Sequence, residues 1–455
     1  MTTATPDHPG STLLERFVLA DTDPEATAAV EAHLRDGCLL CLVEVQEVFR
    51  AIRLRDPEPL GEPPPERLED RLRRMSARVR HHQIRIEAER RIAPWLRERL
   101  RVLTRPQQRE AVKGKGAFKL FGLAELLAEE ARSEAHRDVN RALEVAELAM
   151  VVADAVDPAA YAPGQVADAT VAAWAALGTA LRVRADLAGA ERALGVARNQ
   201  LALGAGDPMT RADLLSLIAS LRLDQARFPE AREALDEATI LFQQVGDRPG
   251  EGKSLIQLAE VAAETGEPER AVGLLEAAEA LLDPAANRHL YLTAKHSRAA
   301  RLVDARRAWE AMALFRSFQR AFLDAMPPSK TRRLPWLLGW IHEGMDQPEQ
   351  AAELFERVRR SFQAEEEHFD FVVATLDLVR VRLKQGMTGE VQGLVEELLP
   401  VISTCELPKE AMKALMYFQR AALTERLTDS AVREVSSFLQ RARRNPDLPY
   451  PGAVR

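Results

Sequence analysis

Cysteine is almost missing from this chain, with three in 455 residues. Three thiols cannot form a disulfide framework, and the expectation is a reduced, cytoplasmic protein. Aromatic residues make up only 5%, so the core cannot be built on rings and must rely on Leu, Ala and Val. That is the profile of stacked helices rather than of a β-sandwich. The N-terminus, MTTATPDHPG, has no basic stretch leading into an apolar one, so no secretory leader is read there. No uninterrupted apolar run reaches membrane-spanning length; LAMVVADAV is short and carries Asp154. A nucleophile elbow, a dinucleotide fingerprint and a helix-turn-helix reader are lacking as well. VKGKGAFKLF has two glycines without the pattern of a phosphate loop, and no enzymatic activity is expected.

What the chain does have is charge, unevenly placed. The net charge is −7, which argues against a polyanion-binding protein. Residues 66–120, however, hold 17 Lys and Arg against seven Asp and Glu. This stretch follows the proline-rich linker of residues 56–66 and spaces Leu68, Leu72, Met75, Val79 and Ile86 along one face, with His82 and Glu89 interrupting. It reads as an amphipathic helix packed on its neighbours with a solvated arginine face. Contact with an acidic protein surface is an alternative, and nucleic-acid contact is disfavoured because Trp95 is the only interleaved aromatic. Pro94 is expected to kink or break this helix.

From residue 166 the chain repeats itself. The stretch AAWAALGTALRVRADLAGAERALGVA sets Trp174, Leu177, Gly178 and Leu181 on one helix, then Ala190, Leu194 and Ala197 on the next. With Ala190 as phase marker, equivalent positions fall at Ala231, Ala271, Ala311, Ala351, Val391 and Ala431, first 41 and then 40 residues apart. Gly266 and Gly386 share one phase and are expected in the turn inside each helical hairpin. These offsets resemble the tetratricopeptide repeat, with Leu181 and Leu194 in place of the usual aromatics and a period longer than the standard 34. The resemblance covers residues 166–445. It implies an all-α, TPR-like right-handed solenoid of helical hairpins with 446–455 as a tail, residues 67–165 supplying basic amphipathic helices and an atypical leading repeat. Such an array offers a concave wall for an extended peptide or a helix of a protein partner. In the repeat frame, positions 5 and 9 of each first helix face that wall. They are Ala175 and Thr179 in the first copy, with Arg182 one turn further on, and Trp336 and Trp340 in the fifth. Arg182, Trp336 and Trp340 are the partner-binding candidates, although packing between repeats is an equally ordinary use of tryptophan.

Near the start stands HLRDGCLLC. His33 ends a helix that Asp23 caps and Pro24 begins, and Cys38 and Cys41 follow in a C-x2-C turn that brings two sulfurs to one side. Thiolates and an imidazole suit a tetrahedral Zn2+; His8 can return as the fourth ligand if the two short helices pair, with Glu15 or Glu44 as alternatives. Two buried thiols beside an exposed histidine are the plain alternative. The order His8, His33, Cys38, Cys41 resembles the zinc-binding anti-sigma factor domain, although four residues rather than the usual three separate His33 from Cys38. That resemblance covers about residues 8–55, within a helical domain set at 1–55. It implies a zinc site at His8, His33, Cys38 and Cys41 and a sigma factor as partner. The chain is thus expected to be a regulatory or scaffold protein joining this finger to a tetratricopeptide array. The alternative is a pure assembly module in which the finger is only a staple.

Overall fold

A computed structural model describes residues 9, 11–18, 23–35, 68–114, 116–161, 164–204, 206–404, 408–423 and 427–451. Among them there are helices and turns and no strands, and the fold is an all-α, TPR-like solenoid. It divides into two compact units, residues 1–210 and 211–455.

The first unit holds helices α1 (Ser11–Val18), α2 (Pro24–Arg35), α3 (Leu68–Arg101), α4 (Arg105–Gly114), α5 (Phe121–Glu134), α6 (Val139–Ala155), α7 (Gln165–Val183) and α8 (Leu187–Leu201). Asp23 caps α2 as expected, its Oδ1 accepting the Ala26 N–H at 2.8 Å. Of the kink or break expected at Pro94, the break does not occur, and α3 runs through it. It lies on the exposed side, where water can satisfy the freed carbonyl, while Ile86, Ala93, Leu96 and Leu100 anchor both halves of the helix in the core. Glu89, which breaks the apolar spacing, is buried and fully engaged: Tyr161 Oη donates to it at 2.8 Å and the Gly122 N–H at 3.2 Å. Gly122 lets α5 meet α3 there, since a Cβ would stand 2.7 Å from the Arg90 nitrogen. Part of the basic excess of α3 is answered by α5: Arg90 pairs with Glu125 at 2.7 Å, and Arg97 with Glu130. The N-terminal helices join this same core. Leu14, Phe17 and Val30 are inaccessible to solvent, Phe17 packs against Trp95 at 5.8 Å, and Arg91 donates to the Phe17 carbonyl at 3.2 Å. Helix α7 is the one described helix long and apolar enough to cross a membrane. Here it packs against α5, α6 and α8 as an inner helix of the array.

The second unit stacks α9 (Pro208–Asp224) and α10 (Phe228–Val245), α11 (Arg248–Glu264) and α12 (Pro268–Leu281), α13 (Arg288–Asp304) and α14 (Ala308–Ala325), α15 (Leu334–Gly344) and α16 (Pro348–Ala364), and α17 (His368–Lys384) and α18 (Thr388–Thr404). A last pair follows, α19 (Lys409–Leu423) and α20 (Asp429–Arg444). The alanine beat has a physical counterpart. Ala190, Ala231, Ala271, Ala311, Ala351 and Val391 are each the fourth residue of a second helix, and none is more than 4% exposed. The first helices carry a buried position on the same beat, Gly178, Ala219, Ala259, Ala299, Gly339 and Val379. A Cβ at Gly178 would meet Leu194 at 2.7 Å, and one at Gly339 would meet Phe355 at 2.5 Å. The two helices of a hairpin touch there, and side-chain bulk is excluded.

The intra-hairpin turn is equally regular. Ala185, Ala226, Gly266, Arg306, Asp346 and Gly386 all have φ between +59° and +77°. In each turn the following N–H bonds back to the carbonyl five residues earlier, from Asp186 to Leu181 through Met387 to Arg382, at 2.8–3.0 Å. This is the Schellman closure of a helix end. Gly266 and Gly386 sit in this turn as expected, and four copies adopt the left-handed conformation without glycine. The last hairpin departs from the beat. Ala431 is only half-buried, and Val432 is the fourth residue of α20, 1% exposed. The order is also reversed, for α20 rather than α19 packs against α17.

Candidate functional site

The second unit contains an open cleft of about 1000 Å³. Its walls are the last turns of α11, α13, α15 and α17, and the long side of α20 closes it. The repeat geometry dictates this convergence, because every first helix runs in the same direction and ends at the same level.

Polar side chains line most of it, and they form a continuous chain of charge. Asp377 Oδ2 accepts the indole N–H groups of Trp336 at 2.7 Å and Trp340 at 2.9 Å. Arg380 stands 3.3 Å from Asp377 and also pairs with Glu343, which takes Lys384 at 2.7 Å. Asp429 joins Lys384 at 3.9 Å to Arg433 at 2.8 Å, carrying the network onto α20. Arg301 pairs with Asp304 at 3.1 Å, and Arg444 reaches from the end of α20 to Glu260 on α11. Burial pushes the carboxyl of Asp377 above its ordinary range against the pull of Arg380 and the two indoles. Partial desolvation by the cleft wall raises Glu264, opposed by Arg441 and Arg444, and Asp304, opposed by Arg301 and Arg433, although both residues keep an exposed surface. Burial works against the Arg380 charge too, but Asp377 and Glu343 outweigh it and hold its pKa above normal. Around Asp377, Arg380 and Glu343 the cleft therefore keeps ionised groups at a desolvation cost, while Lys384, Asp429, Arg433, Arg444 and Glu260 stay more than a third exposed.

The sequence-derived candidates separate here. Trp340 lines the cleft. Trp336 does not: it is 5% exposed and buried behind Trp340, packed on Phe362 at 5.4 Å and bonded to Asp377. It belongs to the core because position 5 of this helix faces the next hairpin. Arg182 lies on the last turn of α7 in the first unit, half-buried. A smaller cleft in that unit, about 620 Å³, is lined instead by Leu177, Leu181 and Arg184, with Arg105 and Arg109 of α4 paired to Glu144 and Glu147 of α6. Of the zinc candidates, His33 sits half-buried in the last turn of α2, while His8, Cys38 and Cys41 lie outside the described residues. Glu44 and Cys405 do too. No group of three or more metal-ligating side chains occurs among the described residues.

Asp377, Arg380, Glu343 and the α20 arginines were not singled out from sequence. A signal for part of them existed. Position 9, carried forward by the 40-residue beat from Ser220, gives Glu260, Ala300, Trp340 and Arg380; three of these line the cleft and the fourth holds Arg444. For α20 no such signal existed, because its place against α17 breaks the repeat.

The comparisons with known proteins agree with this architecture. A tetratricopeptide-repeat family profile matches residues 210–283. No curated protein matches the chain. Among solved structures, the chain is similar to a Rap protein complexed with competence and sporulation factor, at TM-score 0.54 and 11% identity, over 70% of this chain and 87% of that one. It is also similar to the apo form of the quorum sensor NprR from B. thuringiensis, at TM-score 0.50 and 13% identity, over 69% and 84%. The apo form of RapI gives TM-score 0.50 and 10% identity over 70% and 86%. At these identities the likeness is one of fold.

Proposed function

We propose that the chain is a non-catalytic regulatory or scaffold protein whose array receives a segment of a protein partner in the cleft of residues 211–455. The observation that carries this reading is the cleft itself. Four helix ends, the half-buried Trp340 and a network of ion pairs anchored on the buried Asp377, Arg380 and Glu343 face one open cavity large enough for several residues of a peptide. Such a surface recognises side-chain charge and backbone while performing no bond chemistry. The fold likeness supports it, since one similar structure is a Rap protein with a factor bound and another is a quorum sensor. A library of labelled heptapeptides tests the reading by fluorescence anisotropy. Binding is expected to weaken at least about tenfold in Trp340→Ala and Glu343→Lys. Binding that both changes leave untouched places the partner elsewhere.

The finer part of the proposal concerns residues 1–55. We propose that His33, Cys38, Cys41 and His8 hold a structural Zn2+, and that this segment engages a sigma factor. The order of these residues and the position of His33 at the end of α2 support it. When bound, the ion would tie the turn after α2 to the N-terminus. Metal analysis of the purified protein beside a Cys38→Ser/Cys41→Ser variant is the direct test; one zinc per chain is expected in the first and none in the second. A specific observation favours the alternative that the finger is only a staple: α1 and α2 bury Leu14, Phe17 and Val30 in the core of the first unit. Co-purification with and without residues 1–55 separates the two readings. Recovery of a sigma factor that requires them supports the regulatory one.

A further inference from the structure

We infer that the segment bound by the cleft is cationic, and that helix α20 occupies part of its place as a built-in competitor. The inference rests on the cleft being the binding site and names the chemistry of what it binds.

The wall favours positive charge for two independent reasons. First, α11, α13, α15 and α17 all direct their C-terminal ends at the cavity, through Glu264, Asp304, Gly344 and Lys384. Helix C-termini carry partial negative charge and stabilise cations placed within the last turn. Second, the cations fixed on the inner helices are already used, Arg301 by Asp304 among them. Of the lining cations outside α20, only the exposed Arg306 lies off these helices, in the turn after α13. Arg380 and Lys384 are committed to Asp377, Glu343 and Asp429, which leaves Glu260 and Glu264 on α11 to be answered from elsewhere.

Helix α20 answers them. Its apolar face, Val432, Val435, Phe438 and Leu439, is buried against the core of the last hairpins. Its other face brings Arg433, Arg441 and Arg444 into or beside the cleft. Arg444 pairs with Glu260, 184 residues earlier in the chain. Arg441 and Arg444, with Arg301 of α13, oppose the desolvation of Glu264, and Arg301, then Arg433 and Arg380, oppose that of Asp304. The fit is incomplete, because the Nε of Arg441 is buried with no hydrogen-bond partner. None of this would arise if the last hairpin followed the order of the others, since α20 would then stand in the outer layer. The reversal puts a row of arginines where an incoming arginine- or lysine-bearing segment would find its carboxylates. Such a segment binds by displacing the α20 side chains while the helix stays anchored by its apolar face.

Fluorescein-labelled tetra-arginine and tetra-glutamate are the probes, read by anisotropy against the full chain at 0.05 M and 0.5 M salt. The protein is used as wild type, Arg441→Ala/Arg444→Ala, Arg441→Lys/Arg444→Lys and Glu260→Gln/Glu264→Gln, with helicity checked by circular dichroism. Tetra-arginine is expected to bind the alanine pair about tenfold more tightly than wild type, the lysine pair like wild type, and the glutamine pair most weakly, all weakening in high salt. Equal affinity for wild type and the alanine pair overturns the inference, as does preference for tetra-glutamate. Tetra-glutamate binding that Trp340→Ala abolishes would leave the cleft as the binding site and remove only the cationic ligand; no response of either probe to Trp340→Ala would count against the site itself.

Discussion

Trp336 donates its indole N–H to a carboxylate oxygen of Asp377 at 2.7 Å, across from the fifth hairpin to the sixth. Asp377 is only 5% exposed and serves two indoles and one guanidinium at once. Buried donors that lose their acceptor cost far more than the net value of a hydrogen bond. Asp377→Asn keeps an acceptor oxygen for the indoles and removes a charge that burial already disfavours, so a loss of about 1 kcal/mol is expected. Asp377→Leu leaves the buried Trp336 indole without its acceptor and Arg380 with Glu343 alone, for an expected loss of about 3–5 kcal/mol. Urea denaturation of the two variants checks the ratio; equal losses would show that only the charge matters.

The left-handed turn residues offer a reciprocal exchange. Ala226 holds φ +59° and Gly266 holds φ +77° at the same phase, and a Cβ on Gly266 would touch nothing within 4 Å. At Gly266, therefore, only the backbone preference is at stake. Ala226→Gly is expected to stabilise the protein by roughly 0.5–1 kcal/mol, and Gly266→Ala to destabilise it by about 1 kcal/mol. Thermal unfolding of the two single variants, and of the double variant in which the effects should nearly cancel, is the measurement.

The array was legible in the sequence because a shared interface demands the same small residue at the same place in every hairpin. Six alanine or valine markers, Ala190 to Val391, therefore report one contact six times. The seventh misled by one residue, since Val432 rather than Ala431 fills the slot. The reversal of the last hairpin was not legible at all. The apolar face of α20 would pack equally well in the inner or the outer layer, and periodicity records which face is buried, not which layer buries it. Trp336 shows the same limit from another side. Its place in the repeat frame does not fix its exposure, which depends on the neighbouring helix, here on Asp377.

Close helix crossings should differ in how they tolerate a methyl group. At Gly339 the obstacle is the ring of Phe355, 2.5 Å from the ideal Cβ, whereas at Gly122 it is the backbone of Arg90 and Glu89 at 2.7 and 2.8 Å. Alanine gains up to about 1 kcal/mol of helix propensity over glycine, which offsets part of the damage. Overpacking against a side chain typically costs about 1–3 kcal/mol, so Gly339→Ala should be mildly destabilising. A backbone cannot rotate away, so Gly122→Ala should cost more than Gly339→Ala. Guanidinium unfolding curves decide it, and the reverse order would mean that α3 can shift away from α5.

Acid should act through His296. Its ring stacks on Phe322 at 5.3 Å and 26°, and its Nε2 is buried without a hydrogen-bond partner. Burial pushes the imidazole down to about 4, with Arg333, Arg301 and Lys330 adding to the effect. The folded value therefore lies below the unfolded value of about 6.5. Between the two, the unfolded chain takes up a proton that the folded chain refuses. The stabilising contribution is complete above pH 6.5 and is lost as the pH falls towards 4. His296→Phe keeps the stacking and cannot titrate. The stability difference between variant and wild type should thus grow in the variant's favour by up to about 3 kcal/mol as the pH falls from 8 to 4, because all other titrating groups cancel in the comparison. Urea midpoints at pH 8, 6 and 5 measure it, and parallel pH profiles for the two proteins would show that His296 is protonated alike in both states.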